Sequence, residues 1–123
     1  MKRILIIEDQ ADIRQLLQLV FDDADRFELA MAETATDGLQ TARQFQPDLV
    51  LLDIMMPGPM DGLAACRHLK ADPDYGEPHV VILSALGRQD DFDRGTDAGA
   101  DAYLSKPFSP SVVQSTVDLL LGA

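Results

Sequence analysis

Cysteine occurs once in the 123 residues, as Cys66, so no internal disulfide can brace this fold. No apolar run approaches the roughly 20 residues that a membrane helix needs. The opening MKRILIIED meets carboxylates before a secretion-signal core could build. Neither membrane insertion nor export is expected. Cations are scarce as well: ten Lys and Arg stand against 21 Asp and Glu, a formal charge of −11. That is the wrong sign for a phosphate backbone or an anionic membrane surface, so direct nucleic-acid binding is not expected. Repeats, low-complexity tracts and linkers are missing too. What is there is an ordinary globular composition, 46% hydrophobic and 25% charged. A chain of this length buries about two thirds of its unfolded surface in one core, which predicts a single domain over residues 1–123.

Short β-rich runs alternate with longer helical patterns five times, the mark of an α/β fold. Arg3-Ile4-Leu5-Ile6-Ile7 is apolar almost throughout, as a central parallel strand covered on both faces should be. Ile13, Leu16, Leu17 and Val20 follow at helical spacing and predict a helix over about residues 10–23. Phe27 to Ala32 reads as a second strand, and Ala35, Leu39, Ala42 and Phe45 stripe a second helix that Pro47 stops. Leu49 to Leu52 is a third strand ending in Asp53. The turn formers from Met55 to Gly62 make a loop before a third helix carrying Leu63, Cys66 and Leu69. Cys66 on that stripe reads as core packing, not redox chemistry. Residues 72–78 read as an exposed loop and Val80 to Leu83 as a strand ending in Ser84. An acidic helix over about residues 88–98 then ends at Gly99. Asp101 to Leu104 is a short fifth strand, and Ser109-Pro110 caps and opens a last helix striped by Val113, Val117, Leu120 and Leu121. Units of this length force right-handed parallel crossovers. The expected architecture is a doubly wound five-stranded parallel sheet of flavodoxin-like order 2-1-3-4-5, with helices on both faces.

In such a sheet the functional crevice lies outside the carboxyl ends of the strands. The chain delivers Glu8 and Asp9 there after the first strand, Asp53 after the third, Ser84 after the fourth, and Lys106-Pro107 after the fifth. Three carboxylates in one crevice repel one another unless a cation neutralises them, and hard oxygen donors of this kind suit Mg²⁺. Asp53 at the mouth can attack phosphorus, with Glu8 and Asp9 holding the metal. An ammonium from Lys106 and a hydroxyl from Ser84 would meet the charge on the phosphoryl oxygens. Pro107 fixes the backbone beside Lys106, a cis bond being one way to do so.

The runs ILIIED, LVLLDIMMPGPMDG, LSA and DAGADAYLSKPF, in that order, resemble the receiver domains of two-component response regulators over essentially the whole chain. The resemblance implies a cytoplasmic switch, not a conventional enzyme. Asp53 would accept a phosphoryl group from a sensor histidine kinase or phosphotransfer protein. Glu8, Asp9, Asp53 and the Met55 backbone carbonyl would bind Mg²⁺. Ser84 and Lys106 would contact the phosphoryl group. Ser84 and Tyr103 would then form a switch toward the face of the fourth helix, fifth strand and fifth helix, where a protein effector or a homodimer is expected. The sequence departs from the family's pattern in three ways. One extra residue separates Pro57 from Gly62, which leaves the place of Asp61 open; Glu8 replaces the commoner Asp; and the chain stops after its fifth helix, so no output domain is expected.

Plainer readings stand beside these. Glu8 and Asp9 can cap the first helix, Ser84 can be an N-cap, Lys106 a solvated lysine, and Tyr103 an edge aromatic with a wet hydroxyl. His68 and His79 have no ligand partner at useful spacing and read as surface residues, and the Met55-Met56 pair reads as packing. Two functional rivals remain: a receiver used for docking without phosphorylation, and a Mg²⁺-dependent phosphohydrolase with an Asp nucleophile. The second lacks a carboxylate two residues after the nucleophile, where Met55 stands. A flavin carrier of the same topology would need a hydroxyl-rich phosphate loop where Glu8 and Asp9 lie.

Overall fold

In the computed structural model, which describes residues 1–56, 58–84 and 89–122 with the backbone alone at 89–92, the apolar runs form one sheet. The strands are β1 (Lys2–Ile7), β2 (Phe27–Ala32), β3 (Leu49–Asp53), β4 (His79–Ser84) and β5 (Ala102–Ser105). All pair in parallel, in the order β2-β1-β3-β4-β5, as the sequence predicts. Between them run α1 (Ala11–Val20), α2 (Ala35–Phe45), α3 (Gly62–Ala71) and α4 (Gln89–Asp97), and α5 (Pro110–Leu121) follows β5. Pro57, Ala85 of the LSA run and the Arg88 start expected for the fourth helix lie outside the described residues.

Strand side chains alternate between the two faces, so each apolar run feeds two cores. Ile4, Ile6, Leu49, Leu51, Val81 and Leu83 meet Leu17 of α1 and Val113 and Val117 of α5. Leu5, Ile7, Val50, Leu52, Val80 and Ile82 meet α2, α3 and Ala98 on the other face. The central strands are therefore dry on both sides, and residues placed at their ends have a stiff support.

Several boundaries differ from the periodicity for local reasons. The first helix stops at Val20 because Phe21 turns out of it into the core, where its ring meets Phe27 edge-on at 5.3 Å. The second ends at Phe45 as its stripe predicts, with Gln46 in the left-handed region (φ 52°) just before Pro47. The Gln46 amide donates to the carbonyls of Arg43 and Asp74. The stretch 72–78 is not wholly exposed. Asp72 caps a 3-10 turn, Pro73–Tyr75, that buries the Tyr75 ring beneath the Arg43 guanidinium at 4.6 Å. The fifth strand starts one residue late because the Asp101 carboxylate accepts the Val80 N–H at 2.8 Å and the Lys70 ammonium at 2.9 Å. Burial pushes the Asp101 carboxyl upward, but these bonds and the Lys70 charge outweigh it and hold it below the ordinary range. Among the described residues, no helix is long and apolar enough to cross a membrane.

Cys66 lies wholly within the α2–α3 core, its Sγ 3.5 Å from the Ala98 carbonyl, and burial pushes the thiol up to about 11. Since the thiolate is the reactive species, the folded protein should resist iodoacetamide at pH 8 and alkylate fully once unfolded in urea. Mass spectrometry of the two samples reads this directly. Rapid modification of the native protein would show that the α3 stripe opens.

Candidate functional site

Five parallel strands aim their carboxyl ends at one edge, and the polar groups there are brought together by register. Glu8 continues β1 by donating its N–H to the Ala32 carbonyl at 3.0 Å. Asp53 closes β3 opposite Leu83, so Ser84 stands one residue beyond that pairing. Lys106 follows β5 and donates its backbone N–H to the Ser84 carbonyl at 2.6 Å. The Lys106-Pro107 bond is cis.

At the centre is an ammonium between carboxylates. Lys106 Nζ lies 2.6 Å from Glu8 Oε1, 3.4 Å from Asp53 Oδ2 and 3.1 Å from the Gln10 side-chain oxygen. Glu8 and Asp53 are buried, which makes their charges costly unless paired. Met55 donates its backbone N–H to Asp53 Oδ1 at 3.0 Å, and Gln10 donates its own to Glu8 Oε2 at 3.3 Å. Asp9 completes a group whose ligand oxygens all lie within 4.8 Å of one another. Its Oδ1 is buried and has no hydrogen-bond partner among the described residues. Such an orphaned oxygen beside two other carboxylates fits a hard divalent cation.

Burial first, and then a hydrogen bond with Asp53, push the Glu8 carboxyl up to about 7 against the opposing pull of Lys106. For Lys106 burial acts downward, but the bond to Glu8 and the charges of Asp53 and Glu8 prevail and raise it. One ammonium does not balance three carboxylates.

The structure thus brings together Glu8, Asp9, Asp53 and Lys106. Ser84 is buried at the end of the adjacent strand. Tyr103 sits half-buried on β5, and a methyl group at Gly95 of α4 would come within 3.3 Å of its ring, so helix and ring are closely packed. Met55 meets Asp53 through its N–H, its side chain is exposed, and Met56 alone of that pair packs on the core. The N-cap of α1 is Gln10, which makes no side-chain cap bond, so Asp9 does not cap this helix. His79 Nδ1 lies 3.8 Å from Asp101 and away from this edge.

The position of Asp61 is also settled. Its carboxylate accepts the Ala64 N–H at 2.9 Å and caps α3. Gly58, at φ 108° and in open space, is exposed together with Pro59 in the loop before this cap. Periodicity alone missed three contributors. Gln10 bonds the ammonium, Arg14 grips the loop after β1, and Gly62 has no room for a Cβ, which would strike the Asp53 carbonyl oxygen and the Ile54 Cα. A glycine opening a helix directly after a strand-end carboxylate was the available signal for the last.

A sequence model described as the response regulator receiver domain matches residues 4–118. The chain belongs to that family. It is 39% identical over 116 residues to the DNA-binding response regulator MtrA of Mycobacterium tuberculosis, covering 94% of this chain and 49% of MtrA. It is 35% identical over 120 residues to the phosphate regulon transcriptional regulatory protein PhoB of Escherichia coli, covering 98% of this chain and 52% of PhoB. A putative response regulator from Chloroflexus aurantiacus superposes with a TM-score of 0.89 at 28% identity, over 99% of this chain and 98% of that one. The receiver domain here spans about half the length of the curated relatives it matches. One expectation is overturned by this kinship, that nucleic acid lies outside the partners of such a protein, because MtrA is itself a DNA-binding regulator. The charge of −11 was counted over this chain, and it carries no information on the half of MtrA outside the match.

The raised Glu8 carboxyl has a consequence for the metal-free receiver. Between the unfolded value near 4.5 and the folded value near 7 the native state holds the extra proton, so this group's contribution to stability falls as pH rises through that window. Asp53→Asn removes the neighbouring carboxylate. It should flatten the slope between pH 5 and 8 and raise the melting point at pH 8 by roughly 3–5 °C, about 1 kcal/mol. Thermal melts in EDTA check this, and parallel wild-type and variant slopes would contradict it.

Proposed function

We propose that this domain accepts a phosphoryl group on Asp53 from a sensor histidine kinase or phosphotransfer protein, in a Mg²⁺-dependent reaction, and thereby changes its affinity for a downstream target. The observation that carries the reading is Asp53 itself. It is buried at the mouth of the sheet edge, oriented by the Met55 N–H, faced by the Lys106 ammonium, and grouped with two further carboxylates of which one oxygen is orphaned. In the transfer an Asp53 carboxylate oxygen attacks phosphorus. The bond from phosphorus to the donor imidazole nitrogen breaks, and its electron pair leaves with the imidazole. Lys106 meets the charge gathered on the phosphoryl oxygens, and the Ser84 hydroxyl is the neighbouring donor for them. Glu8, Asp9, Asp53 and the Met55 carbonyl are the groups that would hold Mg²⁺. When bound, it neutralises the crowded carboxylates and the incoming phosphoryl oxygens.

Tyr103 is the position through which the state of this pocket reaches α4, since its ring packs at Gly95. The chain is on this reading a phosphoacceptor rather than a conventional enzyme, working in the cytoplasm. Its kinship with MtrA and PhoB supports an output that acts on DNA.

Incubation with acetyl phosphate and Mg²⁺ should add about 80 Da by intact mass, the size of one phosphoryl group, to the wild type and not to Asp53→Asn. No gain without the metal is expected. A wild type that never gains this mass from acetyl phosphate or a phosphorylated kinase would leave the docking receiver as the better reading. Separately, Mg²⁺ at about 10 mM should raise the melting point, because it binds the folded carboxylate group far better than the unfolded chain. The double variant Glu8→Gln with Asp9→Asn should lose that rise. Equal shifts in both proteins would place the metal elsewhere.

A further inference from the structure

We infer that Arg14 is a positioning residue for the metal-binding carboxylates, an inference that rests on the function proposed above. Arg14 lies on the first turn of α1, and its charged side chain is only 17% exposed. Nη1 donates to the Glu8 carbonyl and to the Asp9 carbonyl, each at 2.9 Å. Nη2 pairs with Glu33 Oε1 at 3.0 Å, on the residue directly after β2. Glu8 also hands its N–H to Ala32, the last residue of that strand. A closed loop of bonds therefore joins the end of β1, the start of α1 and the end of β2 around the two residues that carry the acidic pair.

Beyond β1 the ladder ends, and the carbonyls of Glu8 and Asp9 need partners from elsewhere. One guanidinium nitrogen serves both. Fixing two successive carbonyls fixes the peptide planes between them, and with those planes the directions in which the Glu8 and Asp9 side chains leave the backbone. The Asp9 Oδ1 depends on this restraint, since it has no hydrogen bond of its own among the described residues. The ion pair with Glu33 contributes less, because the Glu33 side chain is 69% exposed and solvent screens it. The grip on the carbonyls is what orients the site.

Two roles for Arg14 make opposite predictions. If it acted only as a nearby positive charge, its removal would ease the approach of a cation and tighten Mg²⁺ binding. If it positions the carboxylates, removal should weaken binding, as loss of groups that orient metal ligands does by about 10-fold or more. Calorimetric titration with Mg²⁺ of wild type and Arg14→Gln decides between them, and thermal melts in EDTA report the metal-free fold. The expected result is a dissociation constant raised about tenfold. An unchanged or tighter constant, even with a lowered metal-free melting point, would reduce Arg14 to structural support and overturn the inference. Should Arg14→Gln fail to fold, Arg14→Lys carries the test. It keeps the charge on a shorter, unforked side chain, so measurably weaker binding is expected and wild-type affinity would overturn the role. A wild type that takes up no Mg²⁺ would overturn the metal reading itself, whereas wild-type binding with an indifferent variant overturns the role of Arg14 alone.

Discussion

The ammonium of Lys106, held between Glu8 and Asp53, is the contact on which the geometry of the sheet edge turns. It ties the residue after β5 to the residue after β1 and to the last residue of β3, across 98 and 53 positions of chain. Two buried carboxylates without that charge would each carry a desolvation cost of several kcal/mol. With it the pair is tolerable but unbalanced. Glu8 answers by holding its proton toward neutral pH, and Asp9 is left with an oxygen that no group among the described residues satisfies. The pocket is thus built to be incomplete in negative charge compensation, which is the condition under which a divalent cation adds stability.

A site under such electrostatic pressure needs a frame that does not yield. The frame is the dry centre of the sheet, where β1 and β3 place successive side chains alternately into two apolar layers. Helix approach completes it. At Gly62 the start of α3 lies so close to the Asp53 carbonyl and the Ile54 Cα that no side chain fits, and at Gly38 α2 packs directly on the Ile7 side chain. Asp53 is therefore flanked by backbone on one side and by Lys106 on the other, leaving little freedom besides that of its carboxylate.

Much of this is legible in the sequence. Period-two apolar runs and helical stripes are local features, and parallel topology follows from segment length, so the strand order and the gathering of Glu8, Asp9, Asp53, Ser84 and Lys106 at one edge could be read directly. What could not be read depends on a partner distant in sequence. Tyr75 lies in a stretch rich in Asp, Pro and Gly that looks exposed, yet Arg43 from α2 covers its ring. Asp101 looks like the start of a strand until Lys70 and the Val80 N–H claim its carboxylate. Arg14 looks like the polar face of an amphipathic helix, because the carbonyls it serves belong to backbone that carries no sequence signal. Net charge has a different limit. The field of an acidic domain is a property of that domain alone and does not set the partners of whole proteins such as MtrA, about twice the matched length.

On the proposed function, phosphorylation changes the competition for a single ammonium. Lys106 is bonded to Glu8 at 2.6 Å and stands farther from Asp53, at 3.4 Å. A phosphoryl group on Asp53 adds about one further negative charge and three strong acceptor oxygens, so the pull on Lys106 shifts away from Glu8. Lys106 cannot answer independently of the backbone, because its N–H is bonded to the Ser84 carbonyl at 2.6 Å and β4 and β5 pair there through Ser84 and Ser105. Tyr103 lies on the same short strand, opposite Ile82, with its ring packed at Gly95. A strand of four residues is too short to absorb a displacement at one end without passing some of it along. The small side of α4 at Gly95 is where the displaced ring and helix must accommodate each other, so a change in charge at Asp53 is converted into a change of packing at a surface element.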